Sequence, residues 1–128
     1  MTQNHSLLQV GLVDFAEPTL LLIAFPDSIL RLAEDIASRH TFDLAVSAGR
    51  AHLRFIPIEH GDDRLSRDES DFLWFISAEK ALEVVAELRG LAASVFPAHA
   101  YLDPQHNLAG VQIVASIGEY EPEKVFTD

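Results

Sequence analysis

Thr19-Leu20-Leu21-Leu22-Ile23-Ala24-Phe25-Pro26-Asp27-Ser28-Ile29-Leu30 decides how this chain is read. An unbroken apolar run stops at a proline, and apolar residues at helical spacing begin just beyond it. A short apolar run bounded by a breaker reads as a strand buried on both faces. Asp27 or Ser28 then offers an oxygen to the free amide hydrogens of a first helical turn. Ile29, Leu30, Leu32, Ala33, Ile36 and Ala37 fall on one face of that helix. Arg31, Glu34, Asp35 and Arg39 fall on the other.

Outward from this unit, residues 7–15 alternate weakly as a preceding strand, ended by Glu17-Pro18. On the far side, residues 42–48 and 51–58 read as a hairpin around Ala48-Gly49-Arg50, with Gly49 free to take a positive φ. Leu53 and Phe55 point one way along it, His52 and Arg54 the other. Pro57 marks an edge or a bulge, because it has no amide hydrogen for a ladder.

The order then recurs. Residues 71–77 form a strand, Ser77 caps a helix, and Ala81, Leu82, Val84, Val85 and Leu88 supply its buried stripe. Residues 96–102 and 109–117 make a strand pair around the turn Asp103-Pro104-Gln105-His106-Asn107. Laid against 71–91, residues 19–39 agree in apolar or polar class at most positions, with Leu21/Leu73 and Leu30/Leu82 identical. We therefore expect one domain over 1–128. Half-repeats at 19–58 and 71–117, each a strand–helix–strand–strand unit, are joined by a solvated acidic loop at 59–70. An irregular tail follows at 119–128. The expected fold class is α+β, a two-layer sandwich with a mostly antiparallel sheet and two helices on one face.

That fold leaves a problem. Leu20, Leu22 and Ala24 oppose Leu21, Ile23 and Phe25, and Phe72, Trp74 and Ile76 oppose Leu73 and Phe75, so both faces of two strands are apolar. Helices on one side cover only one face. The N-terminal strand, the acidic loop, a second copy of the chain, a partner or an apolar ligand must cover the other. If a homodimer does so, Phe72, Trp74 and Ile76 are its expected interface, although a lone tryptophan among such neighbours suits a core better.

The chain has 128 residues, 20 acids against 9 bases, a net charge of −11 and no cysteine. Disulfides, thiolate metal sites and cysteine nucleophiles are excluded. The acidic balance argues against nucleic acid, whose phosphates need a basic footprint, and favours a basic protein partner. The longest apolar run, Leu20 to Phe25, falls far short of the roughly 18–20 residues of a membrane helix. Met1-Thr2-Gln3-Asn4-His5 lacks the basic start of a signal peptide, which reads as cytoplasmic.

No nucleophile elbow or phosphate loop occurs, so no catalytic residue and no cofactor is expected. Glu59, Asp62, Asp63, Asp68 and Glu69 are the residues expected to meet a basic partner. His60, His99, Asp103 and His106 are the metal-ligand candidates by residue type, without the spacing of a metal motif. If the second sheet face lines a pocket instead, Arg54, His99 and Tyr101 are the polar anchors for a small molecule. The sequence therefore points to a non-enzymatic, homodimeric interaction module, with a small-molecule binder or enzyme as the alternative.

Overall fold

The computed structural model describes residues 8–46, 51–95 and 97–126. In chain order the elements are β1 (Leu8–Asp14), β2 (Pro18–Ala24), α1 (Pro26–Ala37), β3 (Phe42–Ala45), β4 (His52–Pro57), β5 (Arg64–Asp68), β6 (Asp71–Ile76), α2 (Ala78–Ala92), β7 (Ala98–Leu102), β8 (His106–Asn107), β9 (Gln112–Ile117) and α3 (Pro122–Val125). The class is α+β. The expected turn at Ala48-Gly49-Arg50 lies outside the described residues, as do Leu7 and Phe96.

The strands form two sheets where the sequence reading expected one. Sheet 1 runs β1-β2-β9-β7 and sheet 2 runs β3-β4-β6-β5-β8. Antiparallel hairpins β1–β2, β3–β4, β5–β6 and β7–β9 are the building blocks. Parallel pairing then joins β2 to β9 and β4 to β6, so each sheet takes strands from both halves of the chain. Parallel pairing requires a long crossover: the one from β2 to β9 contains both helices, whereas the one from β4 to β6 runs through β5 without a helix.

The two sheets share one register plan. Leu20, Leu22 and Ala24 face Ile113, Ala115 and Ile117, while Phe72, Trp74 and Ile76 face Leu53, Phe55 and Pro57. All but Pro57 point inward and join the buried stripes of both helices in one hydrophobic cluster. Phe42 stacks on Phe55 at 4.8 Å and Phe55 tilts against Trp74 at 5.7 Å, geometries that aromatic quadrupoles favour.

Several local expectations are corrected. Helix α1 begins at Pro26 with Phe25 at its N-cap and no side-chain cap, so neither Asp27 nor Ser28 caps it. Proline suits the first helical position because its fixed φ fits and its missing amide hydrogen is not needed there. Ser77 does cap α2, accepting from the Lys80 amide at 3.1 Å. The buried stripes are narrower than expected. Leu30 is 41% exposed and Leu82 74% exposed, because the rows through Ile29, Leu32 and Ile36 and through Ala81, Val84 and Leu88 leave them on the flank.

The acidic stretch 59–70 contains a strand, β5, turned onto β6 through Glu69 at φ 57°. Only Leu65 in β5 is buried, too little apolar pattern to read in advance. The tail contains α3 rather than irregular chain alone. Pro57 ends an interior strand, but β3 stops opposite Phe55, so no ladder on that side needs its hydrogen.

Candidate functional site

The outward sheet faces follow from strand alternation, and they differ. On sheet 1, Val13, Leu21, Ile23 and Val114 form a second apolar cluster, covered by Val125 and Phe126. The Phe126 ring lies directly on Gly11, where a Cβ would collide with it. Glycine within a strand commonly marks such an approach. The covering segment is tied down at its start. Glu119 accepts from Ser116 Oγ at 2.7 Å and pairs with His99 Nδ1 at 2.9 Å, and Tyr120 stacks on Phe15 at 5.7 Å. Burial pushes the Glu119 carboxyl up, but the hydrogen bonds from Ser116 and His99 and the charge of His99 outweigh it, leaving the group below its ordinary value.

On sheet 2 the outward row is Ile56, Leu73 and Phe75, all half-buried. Its polar companions carry both signs. Arg54 forms a two-pronged pair with Asp43 (2.7 and 3.2 Å). Its hydrogen bond and charge pull the Asp43 carboxyl below the usual range. The Arg64 guanidinium sits 4.2 Å from the centre of the Phe75 ring, and Asp71 accepts from the His52 amide at 2.8 Å. Phe72, Trp74 and Ile76, expected at an interface, point the other way and are 1%, 0% and 2% exposed. Alternation along β6 gives the outward positions to Leu73 and Phe75 instead.

Of the five acidic residues expected to meet a partner, Glu59, Asp62, Asp68 and Glu69 are exposed. Asp63 is not, at 1% exposure. Its Oδ2 accepts from Trp74 Nε1 at 3.1 Å and from the Gln105 amide at 3.0 Å, and its carbonyl accepts from the His106 amide at 3.3 Å. This carboxylate fastens the loop after β7 to the core. A buried tryptophan needs an acceptor for its indole hydrogen, and an acid close in sequence was the available signal.

The metal candidates are dispersed. His99 pairs with Glu119 and His106 Nε2 with Asp62 at 3.2 Å. The Asp103 carbonyl accepts from Lys80 Nζ at 2.8 Å, and His60 is exposed. Among the described residues no three His, Asp or Glu side chains are grouped as a metal would need. The proposed ligand anchors also divide. Arg54 belongs to the outer face of sheet 2, whereas His99 and Tyr101, in edge-on contact at 5.5 Å, belong to that of sheet 1.

Among the described residues a cleft of about 310 Å³ lies between the end of α1 and α2, at Ala37, Ala81, Leu82 and Val85, and two more open beside the helices. One, of about 420 Å³, lies between α1, β1 and β3 and is lined by Leu8, Leu32, Phe42 and Leu44 with Arg31 and Asp35. The other, of about 370 Å³, lies at the start of α2, beside Asp63, Lys80, Glu83 and Asp103. Nearby, burial raises the Glu87 carboxyl and the charge of Asp103 adds to the rise. No described helix is long and apolar enough to cross a membrane. No protein-family model matches the chain, and neither curated proteins nor solved structures show significant similarity to it.

Proposed function

We propose that this chain is a non-enzymatic interaction module of the cytoplasm that acts as a homodimer through the outer face of sheet 2. The observation that carries this reading is the contrast between the faces: sheet 1 has its apolar row under Phe126, whereas Ile56, Leu73 and Phe75 remain half-exposed. Removing a large apolar side chain from water is worth about 1.5–3 kcal/mol at full burial, so completing the burial of this row favours association. The face presents Arg54 and Arg64 together with Asp43 and Asp71, so a copy rotated by a two-fold axis can match opposite charges. Exposed Glu59, Asp62, Asp68 and Glu69 are the proposed contacts for a basic protein, with Asp68 beside Asp71 at the margin of that face. The net charge of −11 disfavours nucleic acid as that partner. The alternative pocket built on Arg54, His99 and Tyr101 has no support, since those residues occupy two different sheets.

Sedimentation of the full chain and of Phe75→Glu tests the proposal. The expected result is a dimer for the natural chain at about 100 µM that becomes a folded monomer on substitution. A natural chain that stays monomeric to about 1 mM overturns the dimer.

A further inference from the structure

We infer that the exposed flank of α2 pairs antiparallel with the same flank of a second copy, setting Glu79 of each chain against Arg89 of the other. Helix α2 packs on the inner side of the sheets, so this surface is separate from the outer row of sheet 2. Pairing there does not depend on the sheet 2 dimer.

Helix α2 has three sides. Ala81, Val84, Val85, Leu88 and Leu91 are buried. Lys80, Glu83 and Glu87 share a second side, where Lys80 Nζ donates to Glu83 at 3.1 Å and to the Asp103 carbonyl at 2.8 Å. Glu79, Leu82, Ala86 and Arg89 share the third, at the spacing of three and four residues that keeps side chains in one helical stripe. All four are exposed. Leu82 reaches furthest into water of the described leucines, on the wall of the cleft between α2 and the end of α1.

The charges of this stripe match a copy of itself. In an antiparallel pair, Glu79 facing Arg89 centres the register on residue 84, and that register also sets Leu82 opposite Ala86. A two-fold axis makes each of these contacts twice. Each leucine then faces a small residue and can enter the hole around it. Within one chain the two charges cannot neutralise each other. They stand ten residues apart, about 15 Å along a helix. Among the described residues neither has an ion-pair partner. Arg39, also on the cleft, directs its guanidinium to the Ile76 and Ile58 carbonyls at 3.0 and 2.8 Å. Helix α1 supplies the contrast. Laid against α2 in the alignment of the two halves, it has Asp27, Leu30, Glu34 and Ala37 at the same positions. Two acids without a base repel their own copy, so charge complementarity selects α2. Together with the proposed sheet 2 contact, a second two-fold contact carries assembly past the dimer.

The test is sedimentation equilibrium at about 0.15 M salt in the Phe75→Glu background, which removes the sheet 2 contact. That variant is expected to dimerise with a Kd of about 1 mM, which leaves most chains single at about 100 µM. Arg89→Glu and Glu79→Arg are each expected to weaken pairing about tenfold, and the double variant to recover it within about threefold. Leu82→Glu is expected to abolish it. Circular dichroism checks that every variant keeps its helices. The double variant opposes the helix dipole most, so an effect on the helix alone would be largest there. It also keeps the net charge of its parent. Weakening by Arg89→Glu with strengthening by Glu79→Arg follows net charge alone and overturns the inference. So does pairing that ignores both reversals, a double variant that stays weak, or no association up to about 2 mM. A Phe75→Glu monomer beside a natural dimer overturns the α2 contact and keeps the sheet 2 contact. A Phe75→Glu dimer dispersed by Arg89→Glu and restored in the double variant supports α2 pairing even if the sheet 2 contact fails.

Discussion

Sheet 1 and sheet 2 are built to one register and finished differently. Inside, Leu20, Leu22 and Ala24 on Ile113, Ala115 and Ile117 repeat the plan of Phe72, Trp74 and Ile76 on Leu53, Phe55 and Pro57. Outside, sheet 1 carries an apolar row sealed by the chain's own Phe126, and sheet 2 carries a mixed row of apolar and charged residues. Packing constrains an interior through every neighbour, so the two interiors have little freedom to differ. The outer faces lack that constraint, and they are where binding surfaces can diverge.

The largest break in this comparison is expected at Asp63. Its carboxylate serves the Trp74 indole and the Gln105 amide at once, on the sheet 2 side only. Asp63→Ala leaves both donors without an acceptor in a buried place, and urea unfolding is expected to show a loss of about 2–4 kcal/mol. Next comes the seal on sheet 1. Phe126→Ala is expected to cost about 1–2 kcal/mol, short of a full core truncation because the ring is only half-buried. Gly11→Ala pushes a Cβ into the same ring, so it should also destabilise, and the double variant should lose less than the sum. Additive losses in that cycle would show that Gly11 and Phe126 act separately.

A smaller effect separates the faces by pH. Glu119 has a folded-state pKa below its ordinary value, so its contribution is present above the unfolded pKa, about 4.3, and is lost as pH falls through the folded value. Comparing the natural chain with Glu119→Gln should give a difference of about 0.5 kcal/mol near neutrality that closes under acid. Stability curves that stay parallel down to about pH 3 would exclude this account. The smallest effect is expected on the flank of α2. Leu82→Glu should change stability by less than about 0.5 kcal/mol despite removing a leucine, because that side chain is already in water.

The amino-acid pattern carried the strand–helix order well where the apolar period was strong. The runs at 19–25 and 71–77 and both helices lie where spacing placed them, give or take a residue or two at their ends. It did not carry β5, whose residues Arg64, Ser66, Arg67 and Asp68 resemble a solvated loop and whose strand state comes from pairing with β6. It expected something to cover the face of β2 but did not identify the covering segment, since Val125 and Phe126 lie in a charged stretch. Their signal was spread over distant places, Gly11 in a strand and Pro122 at a helix start. The direction in which Trp74 points depends on a face assignment that alternation alone leaves ambiguous when both faces are apolar.

The parallel pairing of β2 with β9 has a consequence for how the chain is made. Gln112 in β9 hydrogen-bonds Thr19 in β2 across 93 residues. At a synthesis rate of about 5–20 residues per second, β2 waits roughly 5–20 seconds for its neighbour. During that interval Leu20-Leu21-Leu22-Ile23 has an open hydrogen-bonding edge and two apolar faces. A nascent chain in that condition is a natural client for a holding chaperone, and truncated products ending before β9 should aggregate instead of folding.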